Sequence, residues 1–310
     1  MSQVVNPFEL LQSVSDATSA LVQKLAKSIV SVNSHMSRGT GVVLNKEGYI
    51  VTCNHALAEC NRVKIGQGQK TYESKIVGTD SYNDIALLKT EKNLAFQPIE
   101  LGDSSKLSTG QFVLALANPF NRQQPTATTG IITNLYGTLH GLRGTTIENV
   151  IATDAKLNPG FSGGPLVDAQ GKLIGINTAY VWSRGIAIPV NKVKAIADRL
   201  MSGRTIKKAY LGIVANSVSI PSEIAEQTGI DQESGVMIFS VERDSPAKKA
   251  GLAMGDVIVE FNEKAVTDFY DLPRRLAEDV IGKKTRLIII RGEELLKLTI
   301  TPTAAGENDD

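Results

Sequence analysis

Residues 158–166 read Asn-Pro-Gly-Phe-Ser-Gly-Gly-Pro-Leu, so that one serine, Ser162, lies among three glycines directly before an apolar run. Glycine permits positive φ and lets the backbone approach a ligand closely. A tight turn of this kind can direct two backbone N–H groups, those of Gly160 and Ser162, at one point. A glycine-rich surface turn has the same composition. The stretch therefore indicates catalysis only if the chain also supplies a base and an orienting acid.

The chain has three histidines, and one of them is well placed to be that base. His55 lies where a β-type run gives way to an alanine-rich helical turn, and a strand end holds a side chain rigidly. His35 and His140 lie in polar, Gly/Ser-rich stretches and are expected to be exposed loop residues. Asp84 leads directly into an apolar run, which makes it a candidate buried partner, although a simple strand-leading turn residue is the alternative.

The chain order of these candidates is His55, Asp84, Ser162, which is the order found in chymotrypsin-like enzymes. The chemistry gives each residue a role. Ser162 Oγ becomes a nucleophile when His55 takes its proton, and Asp84 fixes the tautomer of His55 and stabilises the imidazolium. The backbone N–H groups of Gly160 and Ser162 are the expected oxyanion donors.

Charge and hydropathy exclude several classes of protein. The 310 residues carry 33 basic and 32 acidic side chains, and this balance argues against a dedicated nucleic-acid binder. No run reaches the roughly 18 apolar residues of a membrane span. The N-terminal segment carries Glu9 and Asp16 and has no basic region before an apolar core, so it does not resemble a signal peptide. As written, the chain is expected to be cytoplasmic. It would be periplasmic or otherwise extracytoplasmic if a leader had been removed.

The chain contains two cysteines, Cys53 and Cys60, which are too few for a disulfide framework. Two free thiols are expected in a reducing compartment. If the chain is extracytoplasmic, a disulfide between Cys53 and Cys60 is the alternative. No metal and no cofactor are expected.

Hydrophobic periodicity and local composition together predict five segments of the chain. Residues 1–28 contain a helix over 6–28, with Asn6 as cap and Leu10, Val14, Leu21 and Leu25 on one face, which either packs on its own domain or contacts another subunit. Short β runs then predict a β sandwich or a pair of barrels, closed by a helix over 191–202 with Asn191 as cap. The five segments are a helical segment 1–28, a β domain 29–202, a linker 203–209, an α+β domain 210–303 and a disordered acidic tail 304–310.

Several motifs together resemble the HtrA (Deg) family of serine proteases, in matching order and over nearly the whole chain. These are Gly48–Thr52, Asn54-His55, Asn83–Lys89, Asn118-Pro119-Phe120, Thr153-Asp154-Ala155, Asn158-Pro159-Gly160, Ser162–Leu166, Gly175–Ala179 and Gly185–Pro189. The resemblance implies a chymotrypsin-like double β-barrel with a C-terminal PDZ domain. It also implies an ATP-independent endopeptidase that degrades misfolded or damaged proteins as a homotrimer or a multiple of it.

The sequence departs from the family at three places. Phe161 stands where the family usually has Asn, which predicts an altered lining near the scissile bond with the chemistry retained. Lys156 replaces a small residue, and Leu157 matches an apolar position of the S1 pocket, the pocket for the side chain before the scissile bond. This pair predicts cleavage after small or medium apolar residues. Arg143 lies in the loop that corresponds to the family's sensor loop, but its register does not match and no sensing role is carried over.

Residues Tyr210, Leu211, Gly212 and Ile213 resemble the carboxylate-binding loop of PDZ domains. Such a loop presents backbone N–H groups to a terminal carboxylate, and the peptide adds to a sheet edge as a strand. A following helix with Leu272, Leu276 and Val280 is expected to line the pocket for the terminal side chain of the peptide, with Leu276 as the pocket residue. A strand that enters an ordinary α+β core is the alternative.

Two other functions remain open. The first is a chaperone or scaffold that binds unfolded chains with little proteolysis. The second is a PDZ adaptor with a vestigial protease domain. The presence of all three triad residues disfavours both.

Overall fold

The computed structural model describes residues 6–34, 37–57, 62–68, 70–90, 96–140, 146–181, 183–203, 209–268, 271–276 and 278–304. The chain divides into two compact units, Met1–Thr205 and Ile206–Asp310. The predicted linker crosses this division, and its residues 204–208 lie outside the described part of the chain. None of the helices described is both long enough and apolar enough to span a membrane.

The first six strands of the first unit close into a barrel in the order β1-β2-β3-β6-β5-β4. They are β1 (Ile29–Asn33), β2 (Arg38–Val43), β3 (Tyr49–Cys53), β4 (Arg62–Gln67), β5 (Lys70–Asp80) and β6 (Ile85–Thr90). Val30, Ile50, Ile65 and Leu88 are fully buried in its interior. This barrel presents the ends of β3 and β6 side by side, because Cys53 pairs with Ile85.

The next six strands close a second barrel in the order β10-β11-β12-β9-β8-β7. They are β7 (Phe112–Ala117), β8 (Thr126–His140), β9 (Thr146–Thr153), β10 (Pro165–Asp168), β11 (Leu173–Val181) and β12 (Arg184–Pro189). Its core includes Val113, Ile132, Leu166 and Ala187. The two closed barrels confirm the predicted chymotrypsin-like double barrel.

The N-terminal helix α1 spans Pro7–Leu25 and continues as a 3₁₀ turn over Ala26–Ser28. Asn6 caps it as predicted, because its side chain accepts from the N–H of Phe8 at 3.1 Å. The predicted apolar face is divided. Leu21 and Leu25 reach Gly171 of the second barrel, whereas Leu10 and Val14 are exposed.

The helix after β12, α2 (Val190–Met201), begins one residue before the predicted start. The expected cap at Asn191 is wrong, because Pro189 occupies the cap position without a side-chain hydrogen bond. The Asn191 side chain instead accepts from the N–H of Ser104 at 3.2 Å and donates to Asp103 at 2.9 Å. These groups of a neighbouring loop compete with the helix end for the Asn191 amide.

The second unit contains a sheet in the order β14-β15-β16-β18-β19, with β17 paired to β16 and a separate β13–β20 pair. The strands are β13 (Ala209–Tyr210), β14 (Ile213–Ser219), β15 (Ser234–Val241), β16 (Val257–Phe261), β17 (Lys264–Ala265), β18 (Thr285–Arg291), β19 (Glu294–Ile300) and β20 (Thr303–Ala304). The helices are α3 (Ser222–Thr228), α4 (Pro246–Lys249) and α5 (Asp271–Arg275), followed by a 3₁₀ turn over Glu278–Val280. This is the predicted α+β architecture.

Two boundaries of the second unit differ from the predictions. Ala304, expected in the disordered tail, is buried and pairs with Ala209, expected in the linker. Strand pairing gives both residues a fixed place in the second unit, and residues 305–310 lie outside the described part. The helix predicted over 268–279 is shorter. The side chain of Asp268 accepts from the N–H of Asp271 at 3.0 Å and starts α5 there.

Candidate active site

The three predicted catalytic residues come from different strand ends of the double barrel. His55 lies in a 3₁₀ turn (Asn54–Leu57) that follows β3, and Asp84 directly precedes β6. The pairing of β3 with β6 brings these two residues together, and the N–H of Asn54 donates to the carbonyl of Asp84 at 3.1 Å. Ser162 lies in the loop before β10 of the second barrel.

His55 and Asp84 form a hydrogen-bonded pair. His55 Nδ1 lies 2.7 Å from Asp84 Oδ2, and the backbone N–H of His55 donates to Asp84 Oδ1 at 2.9 Å. An ionised carboxylate can only accept, so Nδ1 carries the proton and Nε2 is left as the basic nitrogen. The imidazole is half exposed, whereas the carboxylate is buried. This geometry is that of a base oriented by an acid.

The two groups shift each other's pKa. The hydrogen bond to Asp84 raises the pKa of His55 above its ordinary value, although burial opposes this shift. Burial alone would raise the pKa of Asp84, but hydrogen bonds from His55 and Thr178 outweigh it and lower that pKa. Asp84 is therefore ionised at neutral pH and stabilises a positive charge on His55.

Thr178 of β11 completes the environment of Asp84, although its place in the sequence predicts no catalytic role. Its hydroxyl donates to Asp84 Oδ2 at 2.5 Å, and the side chain is buried. Thr178 belongs to the Gly175–Ala179 motif that carries the family resemblance, but neither that motif nor its position in a largely buried strand indicates a contact with Asp84. This bond links the acid of the first barrel to a strand of the second.

The hydroxyl of Ser162 donates to the backbone carbonyl of Thr178 at 3.2 Å. The structure shows no hydrogen bond between Ser162 and His55, although both residues are described. Catalytic hydrogen bonds are often long or misaligned in a protein without substrate. Because the Ser162 hydroxyl donates its proton to the carbonyl of Thr178, that hydrogen bond must break before His55 can take the proton.

The loop around Ser162 is fixed by its own backbone. The N–H of Phe161 donates to Asn158 O at 3.1 Å, and the N–H of Gly163 donates to Asn177 O at 2.8 Å. Gly160 has a φ of +94°, a conformation that favours glycine. Within the described residues, the N–H groups of Gly160 and Ser162 have no protein acceptor. They are available to an incoming oxyanion.

Phe161 does not line the scissile-bond site, so that expectation is wrong. Its side chain is 3% exposed and packs in the core of the second barrel. A large apolar ring gains more from burial in this core than from contact with water, which explains the inward orientation.

The two predicted S1 residues face different surroundings. Leu157 is buried in the second-barrel core, and its Cγ would lie 2.9 Å from a Cβ placed on Gly185 of β12. The side chain of Lys156 is exposed, and its carbonyl accepts from the hydroxyl of Thr128 at 2.9 Å. The structure therefore brings Leu157, and not the Lys156 ammonium, into the apolar wall next to Gly185.

Cys53 lies beside the pair, and its sulfur is within 4.8 Å of ligand atoms of His55 and Asp84. The side chain is a free thiol that donates to Asn177 O at 3.3 Å. Burial raises the pKa of the Cys53 thiol well above its ordinary value, and the nearby Asp84 charge adds to this. A protonated thiol is a poor metal ligand. Cys60, His35 and Arg143 lie outside the described residues, and His140 is described only as part of β8.

The predicted carboxylate loop precedes β14 in the second unit. The carbonyls of Leu211 and Gly212 accept from the N–H groups of Ala247 and Glu242 at 2.8 and 2.9 Å. The N–H groups of Leu211 and Gly212 have no acceptor among the described residues. Gly212 has a φ of +78°, and a Cβ there would lie 2.2 Å from Ser245. This loop can present consecutive N–H groups to a ligand.

The other predicted peptide-binding residues divide into core and surface. Leu272 and Val280 are buried, whereas Leu276 is partly buried against the core cluster that contains Leu211. The Tyr210 hydroxyl donates to the carboxylate of Glu242. Ile213 begins β14, which is an edge strand of the sheet. An extended peptide can pair with such an edge.

Comparison with known proteins matches both units to known domains. Residues 39–176 match the trypsin-like peptidase domain, and residues 222–301 match the PDZ domain. The fold and the matched domains together define a trypsin-like peptidase with an appended PDZ domain.

Individual relatives narrow this class. The periplasmic pH-dependent serine endoprotease DegQ of Escherichia coli (strain K12) is 35% identical over 271 residues, which cover 85% of this chain and 58% of DegQ. The serine protease Do-like HtrB of Bacillus subtilis (strain 168) is 36% identical over 287 residues, which cover 87% of this chain and 63% of HtrB. The HtrA-type protease AlgW with tripeptide has a TM-score of 0.70 and 30% identity, covering 92% of this chain and 96% of AlgW. The chain spans a little over half the length of DegQ, and it belongs to the HtrA family of serine proteases.

Proposed function

We propose that this protein is an ATP-independent serine endopeptidase that cleaves misfolded or damaged proteins. The observation that carries the proposal is the hydrogen-bonded His55–Asp84 pair beside a Ser162 loop in which two N–H groups have no acceptor among the residues that the structure describes. The names of DegQ and HtrB, both serine proteases, support the same reaction class.

The roles follow from the geometry. Ser162 Oγ attacks the peptide carbonyl while His55 Nε2 takes its proton, and the N–H groups of Gly160 and Ser162 bind the oxyanion. His55 then gives the proton to the leaving amine, and water repeats the sequence to release the acyl group. Asp84 stays ionised throughout and holds the imidazole.

The proposal includes a preference for Val, Ala or Leu before the scissile bond. Leu157 and Gly185 form an apolar wall, and the position next to Leu157 holds Lys156, whose side chain is exposed, rather than an acid that would attract Lys or Arg. The experiment is digestion of unfolded casein by the wild-type chain, followed by sequencing of the new termini. Internal cuts after these residues are expected. A profile dominated by Lys or Arg would refute the pocket assignment, and intact casein would refute the activity.

The alternative of a binding protein with little proteolysis has one specific observation in its favour, the Ser162–Thr178 hydrogen bond that occupies the nucleophile. Suppression of casein aggregation without new termini would support it.

The pH dependence of cleavage tests the role of His55. The base must be neutral, and the bond to Asp84 raises its pKa, so kcat/KM is expected to rise with pH with a midpoint above about 6.5. The measurement is kcat/KM of a short peptide from pH 5 to 9, with Asp198→Asn, a change on the exposed face of α2, as control. A midpoint below 6.5 in the wild type contradicts the assignment.

We propose that the PDZ domain of the second unit binds apolar C-termini and tunes the protease. Three features support this binding mode: the edge strand β14, the partly exposed Leu276, and the N–H groups of Leu211 and Gly212, which have no acceptor in the described part of the chain. The related protease AlgW has been solved with a tripeptide, which is consistent with peptide binding in the family.

Calorimetric titration tests this binding. A peptide that ends in Val, Leu or Phe is expected to bind with micromolar affinity, about −8 kcal/mol, and its C-terminal amide at least tenfold more weakly because charge-assisted hydrogen bonds are lost. Leu276→Ala should weaken binding, whereas Leu295→Ala on β19 should not. Equal affinity for acid and amide removes the loop assignment. Binding without a change in peptidase rate leaves the domain as a substrate tether.

We propose a homotrimer, or a multiple of it, assembled through residues 1–28. The first half of α1 exposes four large apolar side chains, namely Phe8, Leu10, Leu11 and Val14. Sedimentation at micromolar concentration should show trimers that weaken in Leu11→Glu but not in Ser15→Glu, which adds the same charge on the same helix. A monomeric full-length chain contradicts the proposal.

The remaining proposals concern boundaries and location. We keep a protease domain over 29–202 and a PDZ domain that now begins at Ala209 and ends at Ala304, because these two residues pair. The periplasmic names of DegQ and its relatives favour an extracytoplasmic location over the cytoplasmic expectation.

A further inference from the structure

A cavity of about 660 Å³ adjoins the nucleophile loop, and the proposed mechanism does not use it. Arg38 of β2 and Phe120, after β7, line it. The segments that contain Arg38 and Phe120 also contact the loop that carries Ser162. The N–H of Thr40 donates to Ser162 O at 3.0 Å, and a Cβ on Gly160 would lie 2.5 Å from Pro119. The cavity is therefore fixed relative to the reacting serine.

The position of Gly39 indicates which half of a substrate reaches this cavity. A Cβ on Gly39 would lie 3.1 Å from Ala56, the neighbour of His55, and 3.2 Å from Ser162 O. His55 must protonate the leaving amine, so the leaving half of the substrate passes over this side. Arg38 lies two residues before Thr40. An extended substrate advances about 3.3 Å per residue, so the Arg38 side chain is within reach of the second or third residue after the scissile bond.

Positive charge lies in the cavity and beside it, because Arg38 lines the cavity and Arg122 lies next to its lining residue Phe120. The Arg38 and Arg122 guanidinium carbons lie 5.8 and 5.6 Å from the centre of the Phe120 ring, within cation–π distance. Neither arginine has a carboxylate partner in the part of the chain that the structure describes. No carboxylate belongs to the described lining of the cavity. The exposed ring holds two guanidiniums whose N–H edges remain available for a bidentate contact.

We propose that Arg38 and Arg122, supported by Phe120, form a subsite that selects an acidic side chain at the second or third residue after the scissile bond. This inference rests on the proposed endopeptidase function and adds a substrate preference to it. The contact is solvent-exposed, so it sets a moderate preference that salt weakens.

Internally quenched peptides test the subsite. All carry Val before the scissile bond and blocked termini, so that the PDZ domain has no free carboxylate to bind, and they differ only in Glu, Gln or Lys at the second and third positions after it. Wild-type kcat/KM should rank Glu above Gln above Lys, with Glu about fivefold over Gln at low salt and less at about 0.5 M NaCl. The Arg38→Gln/Arg122→Gln double variant should bring the Glu-to-Gln ratio to about one. Arg62→Gln, an exposed arginine at the start of β4, should keep it.

Binding without cleavage separates the two possible failures. Fluorescence anisotropy of the same peptides on the Ser162→Ala chain should show the Glu preference even if no peptide is cut. Equal binding of Glu and Gln peptides overturns the subsite, whether or not cleavage occurs. A binding preference that survives the double variant overturns the assignment to these two arginines. If the Glu peptides bind more tightly than the Gln peptides but neither the peptides nor casein is cut, the endopeptidase function is overturned and the subsite is retained.

Discussion

Replacing Ser162 with alanine should lower the kcat of peptide cleavage by about 10⁶-fold, because alanine has no oxygen to attack the carbonyl. The variant should fold, since the Ser162 hydroxyl makes a single hydrogen bond, to the carbonyl of Thr178. The readout is hydrolysis of a quenched peptide together with labelling by a serine-directed phosphonate.

Ser108→Ala is the matched control, because Ser108 is an exposed serine of the same unit. It should cleave and be labelled as the wild type is. Full activity in a pure Ser162→Ala sample would show that another residue is the nucleophile.

Asp84→Asn should lower kcat by about 10⁴-fold, through the tautomer of His55 rather than through lost contact. Asp84 accepts from three donors, the His55 backbone and ring and the Thr178 hydroxyl. An asparagine has one acceptor oxygen and an NH₂ group that can only donate. The amide therefore favours the His55 tautomer with the proton on Nε2, which cannot act as the base.

The measurement is kcat at saturating peptide, with the crystal structure of the variant or its melting curve to show that it folds. Thr178→Ser keeps the hydroxyl and should keep most of the activity, whereas Thr178→Val removes one donor and should lose part of it. A Thr178→Val enzyme as active as the wild type would show that the hydroxyl only contributes to packing.

The sequence allowed the prediction of those parts of the molecule that depend on local pattern. Short apolar runs predicted the strands of both barrels, and the position of Asp84 before β6 predicted a buried acid. His55 was predicted because it ends a strand. These properties depend on neighbours in the chain, and a sequence displays them directly.

The errors arose where distant groups compete for a side chain. Asn191 was expected to cap its own helix, but Ser104 and Asp103 take its amide. Phe161 was placed near the substrate, but the second-barrel core takes its ring. Thr178 received no role because its partner, Asp84, lies 94 positions away. No local pattern reports such contacts.

The contacts that join the two barrels have a consequence for the folding of the chain. The hydroxyl of Thr178 meets Asp84 across 94 positions, and the hydroxyl of Thr40 meets the carbonyl of Gly160 across 120. Contacts of such high sequence separation carry a large loop-closure entropy cost and are slow to form. A chain in which these contacts have not formed holds the candidate base in one half and the candidate nucleophile in the other. The proposed catalytic site therefore requires that both barrels are folded and joined.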